Sequence, residues 1–530
     1  MTAPEQAGPS ATAGRSRRPI GFAELVERAV ADRPDALAVI DEQTRWSWTE
    51  LASAVSRMAS ALVDSGLRPG DRVAIQAPTS AQFVAVYLAA LRAGLVLVPI
   101  NPAYTMPELE HILADSGARL LITASLAVIA DADGLRQRHP GLDRIVVAAR
   151  SGTDELTSLT ELLAGAEQLE QPAQLDQLAD DDERLAVLLY TSGTSGRPKG
   201  AMLPVRSLLA NLDQLSRLTP PPLTADDRIF LPLPLFHIFG LNAGLGMALY
   251  FGATLVLTER FNPAESLRTI RDEQVSVVVG APLEFAQWAG RPEAADAFAG
   301  VRYALSGSAP LSAELVAAFA RFGVRLFEGY GLTEAAPVVS VNLVPTESGS
   351  DWADPKPGSV GRPIPGVEVR LLDNAGDVVE AGDLGMLEVR GDNLFIGYWP
   401  DGAGGPDPDG WFSTGDLAVA DDDGDLYLVG RRGDLVLVNG FNVYPAEVEA
   451  VIGKLPGVRE VAILGVPAGD GNDLIVAYVV AEPGAELDPD ALIEQASSSL
   501  ARFKLPRQVI EVDSLPHTVT GKVMKWRLGG

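Results

Sequence analysis

Residues 190–200, YTSGTSGRPKG, are the segment whose residue types most directly indicate chemistry. They include three glycines, four serine or threonine hydroxyls, a proline and one lysine, Lys199. Hydroxyls and exposed backbone amides beside a cation are typical of loops that bind phosphate oxygens. A surface linker would have a similar composition, but the apolar run RLAVLLY at 184–190 predicts a buried strand before the segment. We therefore interpret it as a phosphate-binding loop, called here the phosphate loop.

The phosphate loop matches neither of two common motifs. In the nucleotide motif G-x-x-x-x-G-K-[ST] glycine directly precedes lysine, whereas Arg197 and Pro198 separate Gly196 from Lys199. The nucleophile motif G-x-S-x-G is absent from the chain. Residues 205–218 have a helical pattern, so we expect the loop to connect a strand to a helix.

The composition restricts the classes of function. A chain of 530 residues exceeds one hydrophobic core, so we expect two or more domains. The absence of cysteine excludes disulfides, thiolate zinc sites and a cysteine nucleophile, and four histidines argue against a multi-histidine metal site. The net charge of −28 disfavours binding to nucleic acid or to an anionic membrane.

Two segments bear on location. Residues 1–18 have no apolar core like that of a signal peptide, and their composition predicts a disordered extension. The longest apolar stretch, 241–257, is interrupted by glycines and is short for a membrane span, so we expect a buried helix, a turn and a strand. These patterns predict a cytoplasmic protein without an integral membrane segment.

The order of apolar runs predicts an α/β fold. Between residues 19 and 430, apolar runs such as 72–78 alternate with helical segments such as 81–94, which indicates parallel sheets covered by helices. After residue 366, short strands with turns between them indicate a small β subregion. We expect an N-terminal domain at 19–430, a hinge at 431–434 and a small α+β C-terminal domain at 435–530.

Six further segments, taken with the phosphate loop, resemble the adenylate-forming superfamily of acyl-CoA synthetases, adenylation domains and firefly-type luciferases. Each segment alone is weak evidence. Together the segments follow the superfamily's order along nearly the whole chain, and the set is highly specific. The segments are LPLFHIFG at 233–240, ALSGSAPLS at 304–312, FEGYGLTE at 327–334, WFSTGDL at 411–417, VNGFNVYPAEVE at 438–449 and TGKVMKWRL at 520–528.

The resemblance implies a two-step reaction that uses ATP, Mg²⁺ and CoA. A carboxylate is a poor electrophile, because its charge repels nucleophiles and oxide is a very poor leaving group. Attack of the carboxylate on the α-phosphate of ATP expels pyrophosphate and gives an acyl adenylate. A thiol can then displace AMP.

The resemblance also implies which residues hold the triphosphate. Glu334, assisted by Thr191, would bind Mg²⁺, since a hard cation prefers carboxylate and hydroxyl oxygens. Thr333 would contact the α-phosphate, and Lys522 would bridge that phosphate and the substrate carboxylate, so these three are the implied catalytic residues: Lys522, Glu334 and Thr333. The residues implied for the β- and γ-phosphates are Thr191, Ser192, Gly193, Thr194, Ser195, Gly196 and Lys199.

The resemblance likewise implies which residues bind the adenosine part of ATP. Asp416 would accept hydrogen bonds from both ribose hydroxyls, although in isolation an aspartate after glycine indicates only a turn. Arg431 resembles a second ribose contact. Tyr330 would stack on the purine, although an aromatic residue there could equally pack in the core. The superfamily often has glycine where Ser308 stands. The implied set is Ser308, Ala309, Pro310, Glu328, Gly329, Tyr330, Gly331, Thr333, Asp416 and Arg431.

His237, Gly307 and Ala335 are the residues implied for the acyl pocket. A lone histidine among apolar residues is most often a core residue, and only the motif favours a pocket wall or gate. A general base is not needed, because a carboxylate attacks without losing a proton. The pocket segments 236–242, 280–288 and 334–342 are apolar and offer no evident partner for a second carboxylate or an α-amino group.

In this superfamily the C-terminal domain rotates between the half-reactions, because the bridging lysine must leave before the thiol enters. Gly440 and Phe441 would then line the tunnel for CoA. The usual hinge residue is aspartate or lysine, whereas Gly433 stands here and relaxes the backbone.

The implied function is an AMP-forming acid–CoA ligase acting on a medium- or long-chain fatty acid. The alternatives are an aromatic-acid (4-coumarate-like) ligase, an enzyme that loads a carrier protein, a luciferase-type oxygenase and a non-catalytic acyl-nucleotide sensor. A sensor should have lost Lys522, Glu334 or Asp416, and all three are present. No inserted segment like that of fatty acyl-AMP ligases is evident, which favours CoA as the acceptor. The sequence does not predict an oligomeric state.

Overall fold

Two sheets covered by helices make up most of the computed structural model, which describes residues 21–148, 158–159, 161, 181–191, 198–438, 441–467, 473–518 and 521–528. The predicted extension at 1–18 lies outside them. The larger sheet is parallel except at its edges, and its strands in spatial order are Arg362–Pro363, Val338–Val341, Arg325–Gly331, Tyr303–Ser306, Val277–Gly280, Arg228–Leu231, Thr254–Leu257, Leu37–Ile40 and Arg45–Ser47. The smaller sheet is parallel except for its last strand, in the order Arg144–Val147, Leu120–Thr123, Arg72–Gln76, Val96–Pro99, Leu185–Thr191 and Lys199–Pro204.

Helices pack against both sheets around a shared apolar core. Helix Ala81–Arg92 is buried along most of its length and belongs to the same core cluster as strands of both sheets. Helix Trp48–Asp64 begins at Ser47, which forms a capping box with Glu50. The other α-helices here are Phe22–Asp32, Met106–Ser116, Leu126–Ala130, Ala132–Arg138, Val205–Ser216, Met247–Phe251, Pro263–Asp272, Pro282–Ala289, Ala294–Ala297 and Ala313–Ala320, with 3-10 helices Phe298–Gly300 and Thr333–Ala335.

A four-stranded antiparallel sheet follows in the chain, in agreement with the small β subregion predicted from the sequence. Its strands are Glu368–Leu372, Leu384–Arg390, Phe412–Ala420 and Leu426–Arg431.

The last hundred residues contain a separate apolar cluster that includes Val448, Ile463 and Ile475. This cluster is the core of an α+β unit, and the fold class predicted from the sequence is confirmed. Its elements are strands Val436–Val438, Phe441–Val443, Val458–Pro467, Asp473–Ala481 and Gln508–Glu511, helices Pro445–Ile452 and Pro489–Ala496, and 3-10 helices Arg432–Asp434, Arg502–Lys504 and Lys525–Arg527.

The element after the phosphate loop differs from the prediction. The loop leads into strand Lys199–Pro204, which pairs antiparallel with Leu185–Thr191, and helix Val205–Ser216 begins only afterwards. Helix Val205–Ser216 lies where it was predicted, but the strand Lys199–Pro204 between the loop and this helix was not predicted. The apolar run between Gly200 and Pro204 has only three residues, 201–203, which is too short to stand out in the sequence, yet it suffices for an edge strand. The strands on either side of the loop thus pair with each other.

The apolar stretch 241–257 forms buried helix and strand, as predicted, with one addition. Its first part belongs to a π-helix, Phe239–Gly246, followed by helix Met247–Phe251, a left-handed Gly252 and strand Thr254–Leu257. π-Helical turns occur often at functional sites. Throughout the described residues, no helix combines the length and apolar character needed to cross a membrane.

Candidate active site

The two ends of the phosphate loop lie side by side. Thr191, the last residue of one strand, pairs in register with Lys199, the first residue of the next. The loop residues between them, Ser192, Gly193, Thr194, Ser195 and Gly196, lie outside the described residues. Lys199 is exposed, and its Nζ lies 5.6 Å from the centre of the Tyr398 ring.

Glu334 lies next to the same tyrosine. The Tyr398 hydroxyl donates a hydrogen bond of 2.5 Å to Glu334 Oε1, and the backbone amide of Phe395 donates to the Glu334 carbonyl. Burial, followed by the Glu334 charge, raises the pKa of Tyr398, so the phenol is protonated. Tyr398 was not among the predicted site residues. The GYWP segment around it is the one sequence signal that could have indicated it.

Oxygen ligands fit the cation that the resemblance implies. The Glu334 carboxylate and the Thr191 hydroxyl supply the donor types that Mg²⁺ prefers, and the helical turn Thr333–Ala335 packs against strand Lys199–Pro204. Thr333 opens that turn.

A separate acidic cluster has its charges paired by a lysine of the same chain. Among the residues that the structure describes, Asp421, Asp423 and Asp425 are close enough together to hold a metal ion, but Lys356 Nζ lies 2.7 to 2.9 Å from all three.

Asp416 lies in the four-stranded antiparallel sheet and links it to the large sheet through a hydrogen bond. It lies within strand Phe412–Ala420, not in a turn, and pairs in register with Arg431. The Tyr330 hydroxyl donates to Asp416 Oδ2 at 2.5 Å, and Arg431 Nε donates to Oδ1 at 3.0 Å. Burial and the Asp416 charge raise the pKa of Tyr330. The structure brings these three predicted adenosine residues together.

Lys522 lies within electrostatic range of Asp416 and Arg431. Residues 516–518 pair antiparallel with 522–524 in a hairpin that presents it, with hydrogen bonds from Thr518 N to Lys522 O and from Lys522 N to Thr518 Oγ1. Removal from bulk water lowers the pKa of Lys522, and Arg431 lowers it further. The side chain nevertheless remains exposed. The hairpin touches the N-terminal part of the chain, because a Cβ on Gly521 would lie 3.2 Å from Leu283 Cβ.

The predicted adenine segment contains an unusual backbone conformation. Ser308 is exposed and has φ of 72°, in the left-handed region that favours glycine. Ala309 and Pro310 follow it, and the Leu311 amide donates to Glu328 Oε1 at 3.2 Å. Burial raises the pKa of Glu328 to about 7.

Of two glycines in the neighbouring strand, Gly331 is required by a close backbone contact and Gly329 makes a tight one. A Cβ on Gly331 would lie 2.2 Å from the Pro337 carbonyl oxygen, and one on Gly329 would lie 3.3 Å from the Ser340 carbonyl oxygen. These glycines let the strand Arg325–Gly331 lie against the next chain segment.

Two of the residues predicted for the acyl pocket, His237 and Gly307, contact Phe239 at the start of the π-helix. His237 Nδ1 accepts a hydrogen bond from the Phe239 amide at 3.3 Å, and burial lowers the pKa of His237 to about 4. The ring is therefore neutral at pH 7. Phe239 packs on Gly307, where a Cβ would lie only 3.0 Å from the ring. Ala335 is fully buried, and its carbonyl accepts from Asn393 Nδ2 at 2.8 Å.

The predicted hinge and CoA residues lie at the start of the C-terminal unit. Gly433 sits in the 3-10 helix Arg432–Asp434 and has no positive φ, so this pose does not itself require glycine. Phe441 begins strand Phe441–Val443, and Gly440 lies outside the described residues.

Comparison with known protein families matches both parts of the chain. Residues 26–399 match the family described as AMP-binding enzyme, and residues 447–522 match the AMP-binding enzyme C-terminal domain.

Curated relatives cover almost the whole chain and differ in their acids. A feruloyl-CoA synthase of Amycolatopsis sp. is 35% identical, over 93% of this chain and 95% of that protein. A 3-[(3aS,4S,7aS)-7a-methyl-1,5-dioxo-octahydro-1H-inden-4-yl]propanoyl:CoA ligase of Mycobacterium tuberculosis is 36% identical, over 95% and 97%. A long-chain-fatty-acid–CoA ligase of Salmonella typhimurium is 32% identical, over 95% and 93%.

One solved protein, MatB from Rhodopseudomonas palustris, is similar in two states. At 33% identity, with 96% of this chain and 98% of MatB covered, the TM-score is 0.85 for ATP-bound MatB and 0.74 for apo MatB. Because the MatB sequence is shared, the difference reflects the arrangement of the chain, which here is closer to the ATP-bound state. The chain belongs to the AMP-binding enzyme family, as an ATP-dependent acid–CoA ligase of the adenylate-forming superfamily.

Proposed function

We propose that this ligase activates a hydrophobic monocarboxylic acid, with a medium- or long-chain fatty acid as its substrate, and works in the cytoplasm. The observation that carries the assignment of the site is that Lys522 lies within electrostatic range of the Asp416–Arg431 pair, while the neighbouring Gly521 lies against Leu283 of the N-terminal part. A cation from the C-terminal unit thereby reaches the residues implied for adenosine.

The first step joins two anions. A carboxylate oxygen forms a bond to the α-phosphorus of ATP while the bond from that phosphorus to the bridging oxygen breaks and pyrophosphate leaves. Lys522 would offset the charge of the carboxylate and the α-phosphate, and Lys199 that of the departing pyrophosphate. Asp416 and Arg431 would hold the ribose. Mg²⁺, bound at Glu334 and Thr191, would supply further charge neutralisation.

The second step releases AMP. The sulfur of CoA, as thiolate, forms a bond to the acyl carbon, and the bond from that carbon to the AMP oxygen breaks. Lys522 must first leave the space between the reactants, so we propose rotation about 431–434, with Gly433 as the hinge residue and the segment around Gly440 and Phe441 lining the thiol's path.

Replacing Glu334 tests the adenylation site. Glu334→Gln keeps the shape of the side chain and can still accept from Tyr398, but it removes the anionic ligand. ATP–pyrophosphate exchange with the acid should fall by about 10²- to 10³-fold, with unchanged circular dichroism. Exchange at the wild-type rate would remove Glu334 from the metal site.

A panel of acids tests the substrate class by AMP release with CoA. Saturated fatty acids should be used better than dicarboxylic and amino acids, because burying an unpaired charge in an apolar pocket is costly. A marked preference for a dicarboxylic or amino acid would overturn this proposal.

A second candidate, an aromatic acid, is favoured by one observation. The Phe239 ring lies against Gly307 and gives the predicted pocket an aromatic wall, and feruloyl-CoA synthases are among the relatives. In the same panel, faster turnover of cinnamic-type acids than of fatty acids would select this candidate. Replacing CoA by a carrier protein as the acceptor separates a ligase from a carrier-loading enzyme.

A further inference from the structure

Tyr398 contacts both charged residues implied for the triphosphate site. Its hydroxyl donates to Glu334 Oε1 at 2.5 Å, and Lys199 Nζ lies 5.6 Å from its ring centre. Among the residues that the structure describes, no donor bonds to Glu334 Oε2. One oxygen of the carboxylate is thus held, while the other is left for a cation.

The backbone on both sides of Tyr398 is fixed relative to the phosphate loop. The Trp399 amide donates to the Gly200 carbonyl at 2.8 Å, and the Met202 amide donates to the Gly397 carbonyl at 3.0 Å. Residues 396–399 therefore lie alongside the strand that leaves the phosphate loop. Tyr398 and Lys199 are thus held on two backbone segments that are hydrogen-bonded to each other.

We propose that Tyr398 is a positioning residue for binding of the Mg²⁺–ATP complex, acting through Glu334 and Lys199. The hydrogen bond restrains the Glu334 carboxylate in one orientation, and the ring attracts the Lys199 ammonium through its negative face. Hydrogen-bond partners of metal-binding carboxylates typically change metal affinity by about 10- to 100-fold. This inference rests on the proposed role of Glu334 as the metal ligand.

A purely structural role is the competing explanation. Tyr398 packs edge-on against Phe395, with ring centres 5.1 Å apart. Tyr398→Phe keeps this packing and the ring beside Lys199 but removes the hydrogen bond to Glu334. Tyr398→Leu removes the aromatic ring as well. Tyr250→Phe is a matched control, because Tyr250 donates to Asp213 at 3.3 Å in a partly buried pair elsewhere in the chain.

The test measures ATP binding to the full chain by isothermal titration calorimetry, with Mg²⁺ and with EDTA. The ratio of the two dissociation constants gives the gain in affinity that depends on Mg²⁺. Tyr398→Phe should reduce this gain by about tenfold while the constant in EDTA stays near that of the wild type. Tyr398→Leu should also weaken binding in EDTA, because Lys199 loses its ring. Tyr250→Phe should change neither constant.

Two results would overturn the proposal, and they differ from each other. A wild-type Mg²⁺ gain in Tyr398→Phe, with the gain lost in Glu334→Gln, shows that Tyr398 only packs and leaves the proposed function intact. A wild-type gain in Glu334→Gln removes Glu334 from the metal site and refutes both assignments. Thermal unfolding of each variant separates these results from misfolding.

Discussion

The Asp416 carboxylate shows what a single residue does in this site. Each of its oxygens accepts one hydrogen bond from a protein donor, Tyr330 on one side and Arg431 on the other. A carboxylate has about four acceptor positions, so two remain after these contacts. In the proposed ribose-binding role, two ribose hydroxyls would bind without breaking the protein's own hydrogen bonds to the carboxylate.

At Ser308 the backbone conformation predicts a stabilising substitution. Ser308→Gly should raise the free energy of unfolding by about 0.5–1 kcal/mol, since φ of 72° costs a residue with a Cβ more than glycine loses in chain entropy. Chemical denaturation measures the change. Ala309→Gly is the control, because Ala309 has no positive φ and should lose stability. A loss of stability in both variants would contradict the strain at Ser308.

His237 should make the protein sensitive to acid. Burial lowers the pKa of His237 to about 4, whereas the unfolded chain titrates near 6.5. Between these values the unfolded state binds more protons, so stability falls as pH falls from 6.5 towards 4. The ring keeps some contact with water, so we expect a contribution of about 1–2 kcal/mol between pH 7 and pH 5.

The variant His237→Gln isolates that contribution. Its unfolding free energy should decline less than that of the wild type between pH 7 and pH 5, whatever the difference at pH 7. Parallel pH dependence in the two proteins would show that His237 remains accessible enough to titrate normally.

At the scale of elements, local sequence predicts what local interactions form. Apolar runs such as 185–191 and 277–280 indicate buried strands, because consecutive apolar residues in the sequence are the ones that become buried. Two features escape this reasoning. The strand Lys199–Pro204 is defined by its partner, and Tyr398 reaches the site only because 396–399 pairs with a segment about two hundred residues earlier. The residues of the site that a motif contains could be predicted, whereas those placed by long-range pairing could not.

The hairpin that carries Lys522 is tied to its own domain by an ion pair. Lys525 Nζ lies 2.7 Å from Glu449 Oε1, and both side chains are about three-quarters buried, at 26% and 24% exposure. Lys525→Met should slow adenylation by about threefold to tenfold, because the end of the hairpin is no longer held to helix Pro445–Ile452. Lys525→Arg, which keeps the charge, should restore the rate.

Comparing the two half-reactions in Lys525→Met shows whether the variant acts by displacing Lys522. Thioester formation from supplied acyl adenylate should change less than adenylation in Lys525→Met, because Lys522 is not needed there. Equal losses in both half-reactions, with no rescue by arginine, would indicate general damage to the C-terminal unit.

At the scale of the whole molecule, the apolar clusters of the C-terminal unit share no residue with those of the N-terminal part. The core around Val448 and Ile463 contains only residues of the last hundred, and the large core contains only residues before them. Burial therefore stabilises each unit by itself, and the contact between Gly521 and Leu283 can break without opening either core. This arrangement suits the domain rotation that we propose.

Lys522→Ala tests that change of position. Lys522 lies within electrostatic range of Asp416 and Arg431 in an arrangement that is closer to ATP-bound than to apo MatB. If its charge acts only while carboxylate and α-phosphate approach each other, the variant should lose adenylation by about 10²- to 10³-fold. Thioester formation from supplied acyl adenylate and CoA should stay near the wild-type rate, since the rotated domain has removed the lysine from the reactants. Both rates are measured on one preparation whose folding is checked by circular dichroism. Equal loss of both would point to one fixed site, and no loss of either would leave Lys522 a surface charge next to Lys525 and Arg527.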